Sequence, residues 1–217
     1  MRVVDVGDVN RALRATLWSR LRSEGFATRT ARAAWRYWDG GVEVVDVHSI
    51  GPEWDAVGCT SYSFGALAST WPAYFVDEGT PPIGKDGRPR PHYWNCPVRF
   101  NLYKTISQPW FHPFAGDPNR PMTDAARKHR EGLRAVMRSD VHDRPDVWFV
   151  LEDGSNLDEV VADLLQVVLS TLPDLASLRD PCEASVRLRK GEFTNPESPH
   201  GFELIEAADA ACRERSA

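Results

Sequence analysis

Ala33-Ala-Trp-Arg-Tyr-Trp-Asp-Gly-Gly-Val-Glu-Val-Val-Asp-Val-His-Ser49 decides the fold class. Aromatic and β-branched residues flank Asp39-Gly40-Gly41, and two glycines supply the positive φ that a tight turn between twisted strands demands. The stretch predicts a β-hairpin with strands over 33–38 and 42–50. In the returning strand Val45 and Val47 share a face with Glu43, while Val44, Asp46 and His48 share the other. One face is therefore core and the other partly polar.

Upstream, Asp8 is placed to cap a helix whose apolar residues Val9, Leu13, Leu17 and Leu21 recur every four positions, with Gly25 as its stop. Downstream, Gly51-Pro52 ends the hairpin. Residues 53–97 are punctuated by Trp71-Pro72, Pro81-Pro82 and Gly84 to Pro91, and are expected to form an insertion with a short element over 60–67 and a solvated tip. Val98 to Thr105 alternates as a third strand, with Val98, Phe100 and Leu102 on one face and Asn101 and Tyr103 on the other. A second Pro-rich insertion spans 108–121, and a polar amphipathic helix is expected over 123–138.

Val147-Trp-Phe-Val-Leu151 has the composition of a buried strand. Asn156 and Glu159 form a capping-box-like pair, and Val160, Val161, Leu164, Leu165, Val168 and Leu172 follow at helical spacing up to Pro173. Pro196 and Pro199 precede a helix over 202–213 in a tail spanning 196–217. These pieces make one α+β domain over 1–217: an antiparallel sheet led by the hairpin, flanked by an N-terminal and a C-terminal amphipathic helix. The sheet face away from the helices must meet water, the insertions or a partner.

The chain has 217 residues, 42% hydrophobic and 26% charged, with a net charge of −5, which suits a globular domain and disfavours a nucleic-acid surface. Its N-terminus lacks the apolar core of a secretory signal, and no apolar run nears the ~18 residues that span a bilayer, so a cytoplasmic protein without a membrane role is expected. Cys59, Cys96, Cys182 and Cys212 are widely spaced, which predicts thiols and no disulfide framework. Nothing in the sequence fixes an oligomeric state.

Candidate chemistry is sparse. Asp46 and His48, two apart on a strand, aim the same way and would suit a general base with an orienting carboxylate. Cys59, His92, Cys96 and His112 are of metal-ligand type, but only His92-x-x-x-Cys96 is closely spaced and no second short pair completes a zinc site. No Gly-x-Ser-x-Gly elbow or phosphate loop occurs, so no cofactor is expected. The aromatic residues are more suggestive, because Trp and Tyr join apolar area to a polar handle. Arg36, Trp38, Trp94, Asn101, Tyr103 and Trp110 are the candidate binding residues. The expected function is a non-catalytic protein-binding module, immunity or regulatory in kind; the alternative is a small-ligand binder or hydrolytic enzyme on the polar sheet face.

The opening helix into Glu24-Gly-Phe26, Trp35-Arg-Tyr-Trp-Asp-Gly40, Val42 to Ser49, Phe100-Asn-Leu-Tyr103 and Asp146-Val-Trp148 before the long helix and Pro173 resemble the bacterial domain-of-unknown-function family numbered 4304. The resemblance implies the fold and an intracellular bacterial origin. It transfers no catalytic residue.

Overall fold

The computed structural model describes residues 3–50, 62–75, 81–108, 145–151, 153–194 and 196–216. The helix expected over 123–138, nearly all of the second insertion, and Cys59, Trp110 and His112 lie outside them. Among the described residues the architecture is α+β. Strands β1 (Thr28–Arg29), β2 (Ala33–Trp38), β3 (Gly41–Ser49), β4 (Phe64–Pro72) and β5 (Val98–Asn101) follow one another across an antiparallel sheet, and β6 (Val147–Trp148) pairs with β4. Contacts divide the chain into two compact units: residues 1–20, 47–66 and 102–167, and residues 21–46, 67–101 and 168–217.

In the first unit, helix α1 (Val6–Leu13) opens not at Asp8 but at Asp5. Asp5 accepts from the Asp8 amide at 2.9 Å while Asp8 accepts from the Asp5 amide at 3.2 Å, a reciprocal capping box that needs both residues. A π turn, Arg14–Trp18, and a short helix α2 (Ser19–Ser23) follow. The reason lies in the sequence spacing: apolar residues every four positions overrun the 3.6-residue helical period, and one wide turn takes up the drift. Val9, Leu13 and Leu17 are consequently all fully buried, with Trp18 beside them.

Beyond Trp148 the segment 149–151 is laced by side chains rather than extended as a ladder. The Gln108 amide takes both backbone groups of Phe149, at 3.0 and 3.2 Å, and Ser63 Oγ accepts from the Val150 amide at 2.9 Å. Asn156 accepts from the Leu151 amide and donates to the Phe149 carbonyl, at 2.9 and 2.8 Å. It is a strand clasp instead of the expected helix cap. The helix behind it, α3 (Leu157–Ser177), begins in this unit with Val160, Val161 and Leu164 fully buried. Asp163, also buried, accepts from Trp148 Nε1 at 2.8 Å and from the amide and hydroxyl of Thr105.

By length and composition α3 is apolar enough to cross a membrane, contrary to the expectation that no segment approaches that mark; half of its most apolar window is buried within the protein. Nor does it stop at Pro173. The proline forfeits one intrahelical bond, but Leu172 and Leu175 continue the buried stripe past it and hold the last turn.

The second unit carries the hairpin. Register pairs Trp35 with Val44, Tyr37 with Val42 and Arg36 with Glu43; of the two turn glycines expected at positive φ, Gly40 has φ 98° and Gly41 does not take that conformation. β4 extends to Pro72, four residues later than expected at its start and five at its end, because proline is tolerated where a strand terminates. Two C-terminal helices pack together, α4 (Pro181–Arg189) and α5 (Pro199–Ser216). α4 went unpredicted although its start is legible: Asp180 caps the amides of Cys182 and Glu183, and Pro181 occupies the first turn. Leu178, Ala184, Leu188, Leu204, Ile205 and Ala208 form a core with Phe75 and Val98.

Cys182 and Cys212 join α4 to α5 in a disulfide. That overturns the expectation of free thiols: wide spacing in sequence says nothing about two helices that fold back side by side. Cys96 remains a thiol and is buried.

Candidate functional site

The two faces of the hairpin in the second unit are built differently. On one, Glu43 is fully buried between two arginines. Arg36 Nε bonds one of its oxygens, and Arg179 reaches both, at 2.9 and 3.1 Å. Each guanidinium also lies over a ring, Arg36 over Phe26 and Arg179 over Trp38, 4.8 and 5.4 Å from the centroids. Arg36 donates further to the Glu24 carbonyl at 2.9 Å, so this candidate binding residue is engaged with internal partners.

The opposite face is covered by the first insertion. Ala33, Trp35, Val42, Val44, Trp71 and Cys96 form one buried cluster, and Trp35 Nε1 donates to the Pro91 carbonyl at 2.9 Å. Arg88 stacks on Tyr37 and Arg90 on Trp35, 5.3 and 5.7 Å from the ring centroids. The tip expected to be a solvated appendage is therefore part of how this face is closed. Asp86 accepts from Arg90 at 2.9 Å and from the Arg88 amide, which fixes the turn of the tip.

Where the hairpin turn meets the end of β4, closure is incomplete. A pocket of about 420 Å³ opens there, lined by Tyr37, Trp38, Val42, Trp71, Phe75, Pro81 and Pro89 around the Gly40-Gly41 backbone. Gly41 is required: a Cβ would run into the Trp38 ring and lie 2.7 Å from the Trp71 carbonyl oxygen. The Ala73 amide donates to the Gly40 carbonyl at 2.7 Å, tying the turn to the strand end so that the walls are preformed. Of the predicted binding residues that are described, only Trp38 lies here. Trp71, Phe75, Pro81 and Pro89 were missed because the pocket joins the hairpin to a segment some thirty to fifty residues on, and a lone chain carries no signal of that pairing.

The other predicted residues are scattered. Asp46 is buried on the covered face, and burial pushes its carboxyl up to about 6 against the opposing pull of His92 and Arg32. His48, in the first unit, has its pKa lowered by burial, with Asp146 as its opposing charge. The charges acting on the two differ: His92 and Arg32 on Asp46, and Asp146 on His48. His92 stacks on the half-exposed Trp94 with ring centroids 4.2 Å apart, and only its backbone carbonyl meets Cys96, whose thiol burial pushes up to about 12. That is a thiol unsuited to metal capture. No group of three potential metal ligands occurs among the described residues. Asn101 and Tyr103 are exposed.

A depression of about 480 Å³ in the first unit is lined by Asp8, Arg11, Asp153 and Asp158. Asp8 is engaged by Arg11 at 2.8 Å and Asp153 by the Ser155 amide at 2.9 Å, so it presents a satisfied polar surface. No protein-family model, curated protein or solved structure matches the chain.

Proposed function

We propose that this protein is a non-catalytic binding module, immunity or regulatory in kind, whose turn-end pocket receives an apolar side chain of a partner protein. The observation that carries the reading is the pocket itself: a preformed concavity walled by two Trp, a Tyr, a Phe and two Pro, with no carboxylate, His, Cys or Ser among its described walls. Buried aromatic anchors in such pockets dominate protein recognition, whereas catalysis needs converging titratable groups. Its volume also falls in the range of small-molecule sites, so a free aromatic ligand is the second reading.

A photo-crosslinking residue in place of Pro81, which lines the pocket and is partly exposed, tests this in the protein's host. Crosslinking to one defined partner, abolished when Ala73→Trp fills the cavity, supports the module reading. Labelling that is unaffected by Ala73→Trp would remove it. Crosslinking to small molecules alone would favour the second reading.

A further inference from the structure

We infer that the pocket selects an aromatic group bearing a carboxylate, such as an aromatic residue in an acidic segment; this rests on the reading of the pocket as the binding site. The chain as a whole is acidic, with a net charge of −5, so arginines stacked on the aromatic walls of this pocket are a local feature. Two of the aromatic walls carry an arginine: Arg88 on Tyr37 and Arg179 on Trp38. Arg88 is exposed and forms an ion pair with none of the described residues. Arg179 keeps about a third of its side chain in solvent and shares the single charge of Glu43 with Arg36, which leaves that trio with one positive charge uncompensated.

Arg90 adds a further cation, but Asp86 neutralises it at 2.9 Å. Asp39, on the turn, is the one remaining carboxylate of the hairpin loop. A planar ring seated between Trp38, Trp71 and Phe75 would keep a substituent at the pocket mouth, where a guanidinium fork can hold a carboxylate through two parallel hydrogen bonds.

The test uses two probes with the same ring, 1-naphthylacetate and 1-naphthylacetamide, titrated calorimetrically into the full chain at low salt. The acetate should bind about fivefold more tightly, since partly exposed charge pairs contribute on that order. In Arg88→Gln the two probes should agree within about twofold, and salt at ~0.5 M should shrink the difference in the native chain. Equal affinities in the native protein would overturn the charge selection while leaving the pocket standing as an apolar site. Failure of both probes to bind would overturn the pocket reading and this inference together. Because Arg88 lies in an exposed turn, the folded state of Arg88→Gln is checked by its thermal transition before the titration.

Discussion

The two faces of the β2–β3 hairpin carry alternate residues of the same two strands, yet they solve burial by opposite means. One face buries charge: Glu43 sits at zero exposure between Arg36 and Arg179. The other buries aromatic and branched apolar groups, with Trp35, Val42, Val44 and Trp71 under the 81–97 segment, and Asp46 as its buried ionisable group. Period-two alternation alone separates the two sets. The charged face holds one carboxylate between two guanidiniums, one of them partly in solvent, while the apolar face, packed by shape, leaves a gap at its turn end. The proposed binding pocket is thus a residue of imperfect apolar packing, stabilised in place by Gly41 and the Gly40–Ala73 bond.

The largest effect should come from breaking the charged face. Glu43→Ala removes the buried counter-charge shared by Arg36 and the partly exposed Arg179 and is expected to cost about 3 kcal/mol in denaturant unfolding. A triple change of Arg36, Glu43 and Arg179 to apolar residues should recover most of that loss. If Glu43→Ala alone were neutral, the trio would be no more than a surface decoration.

Next comes the disulfide, which closes a 30-residue separation between α4 and α5. Loop-closure entropy puts its loss, by Cys182→Ser with Cys212→Ser, at about 3 kcal/mol. The salt bridges Arg189–Asp209 and Arg215–Asp180 should keep α5 docked, so the far-ultraviolet signal of the variant should stay helical.

Asp46 sharpens the contrast from the apolar side. Its folded carboxyl titrates near 6 against an ordinary 3.8, so between those values the folded state holds a proton that the unfolded chain has lost. Stability from this group is therefore full below the ordinary value and is lost as pH rises through 6. Asp46→Asn should stabilise the protein at pH 7 by about 2 kcal/mol and make no difference below pH 4. His48 has the opposite sign: its pKa is lowered, so its cost appears as pH falls below 6.5. Midpoints of unfolding measured from pH 4 to 8 for Asp46→Asn and His48→Gln would separate the two.

The smallest effect is Trp35→Phe, which keeps the ring and removes the bond to the Pro91 carbonyl. It should cost about 1 kcal/mol with the carbonyl reaching water, and more if the carbonyl is left unpaired. Shortening the 84–90 tip, which a reading of sequence alone would treat as free, should cost more than this, because Arg88 and Arg90 cover two aromatic rings of the core.

Much of the fold was legible because its signals are local. Alternation and paired glycines announce the hairpin, and apolar spacing announces the first and longest helices. What escaped depends on partners distant in the chain. Asn156 looks like a cap until Phe149 and Leu151 are found beside it, and Pro173 looks like a stop until Leu175 is found buried beyond it. The site was less legible still. Trp38 is legible from its residue type, but Arg36, an equal candidate by type, is engaged with Glu43. Trp71 was noticed only as one aromatic among many, since its place beside Gly41 follows from the ordering of β3 and β4 rather than from neighbouring residues.

Fluorine NMR of the chain labelled with 5-fluorotryptophan tests the pocket most directly. On titration with 1-naphthylacetate, the resonances of Trp38 and Trp71 should shift together and saturably, while those of the buried Trp18, Trp35 and Trp148 stay within their linewidths. Shifts confined to the exposed Trp94, or no saturable shift at any tryptophan, would contradict the account.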